Sequence, residues 1–209
     1  MLIQFTVSNF LSFDEKETFS MVAGKVRKHS ERIFCDKKLK LTKCEVILGA
    51  NASGKSNLVS AFQFMQNMIL SGLPRGFSNK YYRLNPEKKN ASSDFEITIL
   101  CDSKVFTYGF SIILSTGSIL KEYLYEHGNL DSQKVLFERD TITETFVVGQ
   151  YFKLPDTIAK LNNYGEDSVN DQEMLFLSII NKNKGKMFSD FPELKVLRNV
   201  FEWFAIKLN

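Results

Sequence analysis

Cysteine, proline, histidine and tryptophan are all scarce in this 209-residue chain, which has three Cys, four Pro, two His and one Trp. Cys35, Cys44 and Cys101 are odd in number and far apart, with no CxxC pair and no histidine cluster nearby. That pattern argues against a zinc site and against a disulfide scaffold. The low Pro and Gly content argues against a collagen-like or disordered chain. No run reaches the roughly 18 apolar residues of a membrane span. The start, MLIQFTVSNF, lacks the basic-then-apolar order of a secretory leader. The expected setting is therefore reducing and cytoplasmic, with no membrane partner. The net charge of +3 is too small to indicate nucleic acid by itself. What is abundant is core-forming material, 44% hydrophobic and 13% aromatic, enough for one globular domain or one and a half.

Ile3, Phe5 and Val7 alternate with polar neighbours, the period of a half-buried strand. Thr18 to Ala23 follows a polar break and reads as its hairpin partner. Residues 25–43 hold eight Lys or Arg against Glu31 and Asp36. A solvated loop or edge and a surface for phosphate, nucleotide or nucleic acid both fit that stretch. An apolar strand, Glu45 to Leu48, is expected next. A helix follows position 55, because Leu58, Ala61, Phe62, Met65 and Ile69 fall on one face and Gly72 and Pro74 end it. Phe95 to Val148 reads as an antiparallel meander of short strands with turns at Asp102-Ser103, Ser115-Thr116-Gly117, His127-Gly128-Asn129 and Arg139-Asp140. Helical patterns cover Asp156 to Asn163, Gln172 to Asn181 and Glu193 to Leu208.

Gly49-Ala50-Asn51-Ala52-Ser53-Gly54-Lys55-Ser56 satisfies G-x-x-x-x-G-K-[ST] between an expected strand and an expected helix. In such a loop the glycines let successive N–H groups point at phosphate oxygens, and the helix N-terminus adds a favourable dipole. Lys55 would contact the β- and γ-phosphates and the Ser56 hydroxyl would ligate Mg²⁺. Hydrolysis needs a further Mg²⁺-orienting aspartate on a second buried strand. Asp102 ends the run Ile97 to Cys101, but no glutamate follows and the next strand begins two residues on. It reads as a hairpin-turn residue, with the metal role as the other option. Leu114-Ser115-Thr116-Gly117-Ser118 has the look of an ABC-type signature, yet it precedes a strand pattern and reads as a β-turn. Asn181-Lys182-Asn183-Lys184 lacks the base-binding Asp of a guanine motif.

The segment Phe5-Thr6-Val7-Ser8-Asn9-Phe10-Leu11-Ser12-Phe13, followed by Gly49 to Leu58, resembles the ABC-type ATPase heads of the RecF, structural-maintenance-of-chromosomes and OLD group. There an F-x-NF-x-SF strand precedes a G-x-N-x-x-GKSN loop. Phe95-Glu96-Ile97, Phe106 to Phe110, Ile119 to Leu124 and Leu136 to Arg139 are similar to a run in bacterial AAA-15-type ATP-binding proteins, a branch with abortive-infection and other anti-phage members. The resemblance implies an α/β fold: a P-loop NTPase, ABC-ATPase-like lobe I with an antiparallel β-subdomain and C-terminal helices. On it, residues 1–150 form lobe I and 151–209 a helical segment leading to a second lobe that carries the signature, the Asp-Glu strand and a switch histidine beyond this chain. Gly49, Asn51, Ala52, Ser53, Gly54, Lys55, Ser56 and Asn57 map onto the phosphate loop, with ATP and Mg²⁺ as cofactors. Gln150 is the best placed counterpart of the Mg²⁺-coupling glutamine, with a surface role as its alternative. No catalytic residue is assigned. Asn9 and Phe13 lie near the nucleotide in such heads or serve packing, and Glu122 and Arg139 fit an ion pair or a strand-edge role. The implied assembly is a homodimer of ATP-sandwiched heads controlling a nuclease or toxin effector in phage defence, with DNA as an open accessory partner. A self-contained phosphotransferase, using Arg75 or Arg83 with Asp102, and a nucleic-acid module built on residues 25–43 with Tyr81, Tyr82 and Arg83 are the competing readings.

Overall fold

The computed structural model describes residues 1–25, 29–36, 39–128, 132–182, 185–206 and 208. Its strands and helices, in chain order, are β1 (Leu2–Ser8), β2 (Glu17–Ser20), β3 (Ile33–Asp36), β4 (Leu39–Thr42), α1 (Lys55–Ser71), β5 (Ser93–Cys101), β6 (Lys104–Ile113), β7 (Ser118–His127), β8 (Gln133–Asp140), β9 (Thr145–Val148), α2 (Pro155–Ser168), α3 (Phe176–Asn181), α4 (Gly185–Asp190) and α5 (Lys195–Ile206). Seven strands make one antiparallel sheet in the order β2-β1-β5-β6-β7-β8-β9, and β3 pairs with β4 separately. The fold is mixed α/β, as the resemblance implied.

Alternation decides which face of the sheet is dry. Phe95, Ile97 and Ile99 of β5 are buried, whereas Asp94 is exposed and Glu96 and Thr98 are half-buried on the other side. The apolar face carries α1, α3 and α5, and α2 covers β9. Phe10, Phe64, Phe95 and Phe110 form a ring chain with centroids 5.4, 4.9 and 5.2 Å apart, fastening α1 to β5 and β6. Residues on both sides of position 150 share this core, Phe152, Leu161, Phe176 and Phe204 among them.

The first two hairpin turns sit where Asp, Ser and Gly predict them, whereas the turn expected at Arg139-Asp140 lies at residues 141–144, because both residues are still paired with β7. Asp102 and Ser103 both take positive φ, 49° and 61°, the two-residue reversal that suits the twist of its flanking strands. Residues 114–117 form the next turn, with Gly117 at φ 82°. Part of the turn expected around Asn129 lies outside the described residues.

Two further expectations shift. The helix expected from Gln172 begins only at Phe176, because Asp171 Oδ1 accepts the N–H groups of Glu173 and Met174 and holds them in a turn. The strand expected at Glu45 to Leu48 is absent: residues 44–50 have no regular secondary structure, and Val46, Ile47 and Leu48 are 75%, 45% and 87% exposed. Strand propensity needs a neighbouring strand to bond with, and none of the described strands pairs with this segment.

Candidate functional site

The loop 49–54 turns into α1 through two left-handed residues, Ala52 at φ 64° and Gly54 at φ 91°. Gly54 is the N-cap and offers no side chain, so the start of this 17-residue helix is left to its backbone donors. The N–H of Asn57 and of Leu58 both turn back to Gly54 O, at 3.0 and 3.1 Å. Among the described residues the N–H groups of Gly54, Lys55 and Ser56 have no hydrogen-bond partner. They lie at the positive end of the helix dipole, the arrangement that receives an anion.

Lys55 closes the loop on itself. Its Nζ donates to Gly49 O at 2.7 Å, Ala50 O at 2.5 Å and Ser53 Oγ at 3.1 Å. A Cβ on Gly49 would lie 2.7 Å from Ser53 Oγ, so a side chain there would displace the hydroxyl that Lys55 bonds. Asn51, Ala52, Ser53 and Ser56 are exposed, so the loop and the Ser56 hydroxyl are open to a ligand. The donor set fits a polyphosphate with a divalent cation: amides and an ammonium for the phosphate, one hydroxyl for the metal. Gly49 to Asn57 thus form one continuous stretch, the loop and the first turn of α1.

Ser12 was not visible as a site residue in the sequence. Its Oγ accepts from Asn57 Nδ2 at 2.8 Å and lies 3.0 Å from where a Cβ on Gly54 would be. The turn that presents it is unusual, with Asn9 at φ 48° and Leu11 at φ 52°. A bulky residue in that region carries strain, which must be held by its surroundings. Phe10 and Phe13 exchange N–H···O bonds of 2.9 Å, and Leu11 N–H donates to Lys80 O at 2.6 Å. Asn9 is buried beneath: its Nδ2 donates to the carbonyls of Lys88, Ala91 and Ser92, and its Oδ1 accepts from Tyr82 N. Asn9 therefore ties the 9–13 turn to residues 82 and 88–92.

Other singled-out residues lie elsewhere. Asp102 belongs to the β5–β6 turn, at the opposite end of the sheet from Ser8 and the turn carrying Ser12, and its Oδ2 accepts from Asn199 Nδ2 at 2.6 Å. Gln150 follows β9, the strand farthest from β1 on that side of the sheet, and its Nε2 reaches Gln133 O at 3.4 Å. Five strand spacings separate β1 from β9, about 24 Å, so the structure does not bring Gln150 to the loop. Arg75 and Arg83 are both exposed. Asn181 is buried at the end of α3, while Asn183 and Lys184 lie outside the described residues.

Residues 46–173, more than half of the chain, match the family model described as "AAA domain, putative AbiEii toxin, Type IV TA system". No curated protein matches the chain. Among the described residues no helix is long and apolar enough to cross a membrane.

Proposed function

Since the chain belongs to that AAA-domain family, we propose that it is the ATP-binding part of an ATPase head, taking ATP and Mg²⁺ on residues 49–57. The observation that carries this reading is the set of unpartnered N–H groups at Gly54, Lys55 and Ser56, beside an ammonium that already spans the loop. Phosphate oxygens take the place of the Gly49 and Ala50 carbonyls as acceptors for Lys55. The backbone of Asn51, Ala52 and Ser53 lines the curl, and Asn57, tied to Ser12, fixes its exit into α1. When bound at the Ser56 hydroxyl, Mg²⁺ neutralises phosphate charge.

Turnover calls for groups this arrangement does not supply. Asp102, the one carboxylate with a sequence case for a metal role, is engaged with Asn199 at the other end of the sheet. That favours a head completed by a second polypeptide, with ATP held between two copies, over a self-contained phosphotransferase. The family's toxin description supports an output in defence, through control of an associated nuclease or toxin.

Titration of a fluorescent ATP analogue with Mg²⁺ into the full chain tests the reading. Wild type is expected to bind. Lys55→Ala is expected to weaken binding by at least about tenfold, as loss of a charge-assisted contact does. Ser56→Ala is expected to weaken it only when Mg²⁺ is present. Absent binding, or binding that Lys55→Ala leaves unchanged, overturns the proposal. Sedimentation with and without nucleotide tests the dimer separately.

A further inference from the structure

The sheet face away from the helices is acidic, although the chain as a whole carries +3. Asp94 and Glu96 on β5, Tyr123 and Tyr125 on β7, and Glu138 and Asp140 on β8 share it. The two tyrosine rings stack with centroids 5.0 Å apart and planes 19° apart. Tyr123 lies across β6 over Gly109, where any Cβ would strike its ring, and its hydroxyl donates to Glu96 Oε2 at 2.6 Å. Tyr125 extends the other way and donates to Glu138 Oε1 at 2.6 Å. Each ring is thus fixed at both ends, so little side-chain entropy remains to be lost when something docks on it. Burial and the adjoining carboxylates push both phenols well up from their ordinary pKa, which keeps them neutral donors.

A groove flanks the pair on each side. The one toward β1 encloses about 460 Å³ and sets Asp14, Glu15, Asp94 and Glu96 against Lys16 and Lys88. The one toward β9 encloses about 400 Å³, with Glu138 and Asp140 against Lys121, the Glu122 and Arg139 charges there being paired with each other. Lys16 pairs with Glu96, Lys88 with Asp14 and Glu15, and Lys121 with Asp140, yet carboxylates outnumber ammonium groups in both grooves, so the remaining charge repels a phosphate backbone and attracts a cation. An aromatic stack with a carboxylate at each end suits a planar cation better than a compact one. A guanidinium can lie on the ring and bind the carboxylate through two N–H groups, which an ammonium cannot do.

We propose that this face docks an arginine-bearing basic segment of a separate partner protein, with guanidinium groups on the Tyr123–Tyr125 stack and bound to Glu96 and Glu138. The surface is distinct from the loop at 49–57 and stands or falls independently of nucleotide binding.

Fluorescence anisotropy on the full chain, with a short labelled Arg-Gly repeat peptide, its Lys-Gly counterpart and a Glu-Gly peptide, tests it. The Arg-Gly peptide is expected to bind, the Lys-Gly peptide several-fold more weakly, and the Glu-Gly peptide not at all. Glu96→Gln combined with Glu138→Gln keeps an acceptor for each hydroxyl and is expected to weaken Arg-Gly binding about tenfold or more. Val147→Lys, at an exposed position lining the β9-side groove, is expected to weaken it too. Binding unaffected by these variants, or equal binding of the Arg-Gly and Lys-Gly peptides, overturns the proposal. So does a wild-type dimer that the double variant dissolves, because the occupant is then a second copy.

Discussion

Arg139 and Glu122 face each other on β8 and β7 as an ion pair, Nη1 to Oε2 at 3.3 Å, with both side chains fully buried. The Glu122 carboxylate also accepts from Tyr108 Oη at 2.8 Å and from the N–H groups of Phe176 and Leu177 at 2.5 and 2.9 Å. Arg139 donates to the carbonyls of Met174 and Asp171. The pair therefore stitches the 171–177 segment to the sheet. Burial raises the Glu122 pKa, against the opposing pull of Arg139 and the two N–H groups. Arg139→Met leaves that carboxylate buried and unpaired, and is expected to destabilise the fold by about 3–5 kcal/mol in urea denaturation. Adding Glu122→Leu to it is expected to recover part of the loss.

Gly109 and Tyr123 form a second coupled pair. Gly109→Ala forces the ring off β6, and overpacking of this kind costs about 1–3 kcal/mol. Tyr123→Ala removes the obstacle, so in a double-mutant cycle the alanine at 109 is expected to be tolerated far better on the Tyr123→Ala background.

His127 sets the pH response near neutrality. Its Nε2 lies 2.7 Å from Thr107 Oγ1, and burial holds its pKa below the ordinary 6.5 against the opposing charge of Glu96. A lowered folded pKa means stability is fully present above the unfolded value and is lost as pH falls through the folded one. Asp140 is lowered as well, since N–H groups of Thr143 and Ile142 and the Lys121 ammonium outweigh its burial, but its loss comes only below about pH 4. His127 is therefore expected to lower urea midpoints between pH 7 and 5, by no more than one proton's worth, about 1.4 kcal/mol per pH unit, while Glu122, raised by burial, acts in the opposite sense, so the His127 share is read as the difference between wild type and variant. His127→Gln is expected to flatten the decline.

Gly54→Ala probes the phosphate loop. The substitution places a side chain at φ 91° and 3.0 Å from Ser12 Oγ. The backbone penalty is roughly 1–2 kcal/mol. Ser12→Ala relieves the contact but not the dihedral, so the double variant is expected to regain part of the thermal stability, and nucleotide affinity is expected to stay below wild type.

The motif at 49–56 stands out in the sequence because phosphate-binding chemistry needs fixed residue types at fixed spacing, and Gly49, Gly54, Lys55 and Ser56 match them. The meander was legible because Asp102-Ser103 and Gly117 punctuate runs of Phe, Tyr, Ile and Val. Glu122 and Arg139 could be read as a pair or as edge residues, since only the register of β7 on β8 sets them opposite each other. Ser12 was hidden for a similar reason: its closeness to Gly54 and Asn57 depends on Asn9 gathering the carbonyls of residues 88–92, a tertiary event with no local signature. The 45–48 strand misled because β-branched residues report a preference for pairing, not the presence of a partner.

That segment has a thermodynamic corollary. Val46, Ile47 and Leu48 are consecutive and apolar, the mark of a strand meant for burial on both faces, yet they hold the loop from an exposed and unpaired stretch. If only a fraction of molecules has residues 44–50 ordered, the apparent Kd for ligand at the loop is the intrinsic value divided by that fraction. Whatever orders the stretch tightens the loop's grip by about tenfold for each 1.4 kcal/mol it contributes, and by linkage the bound ligand draws that ordering agent in by the same factor.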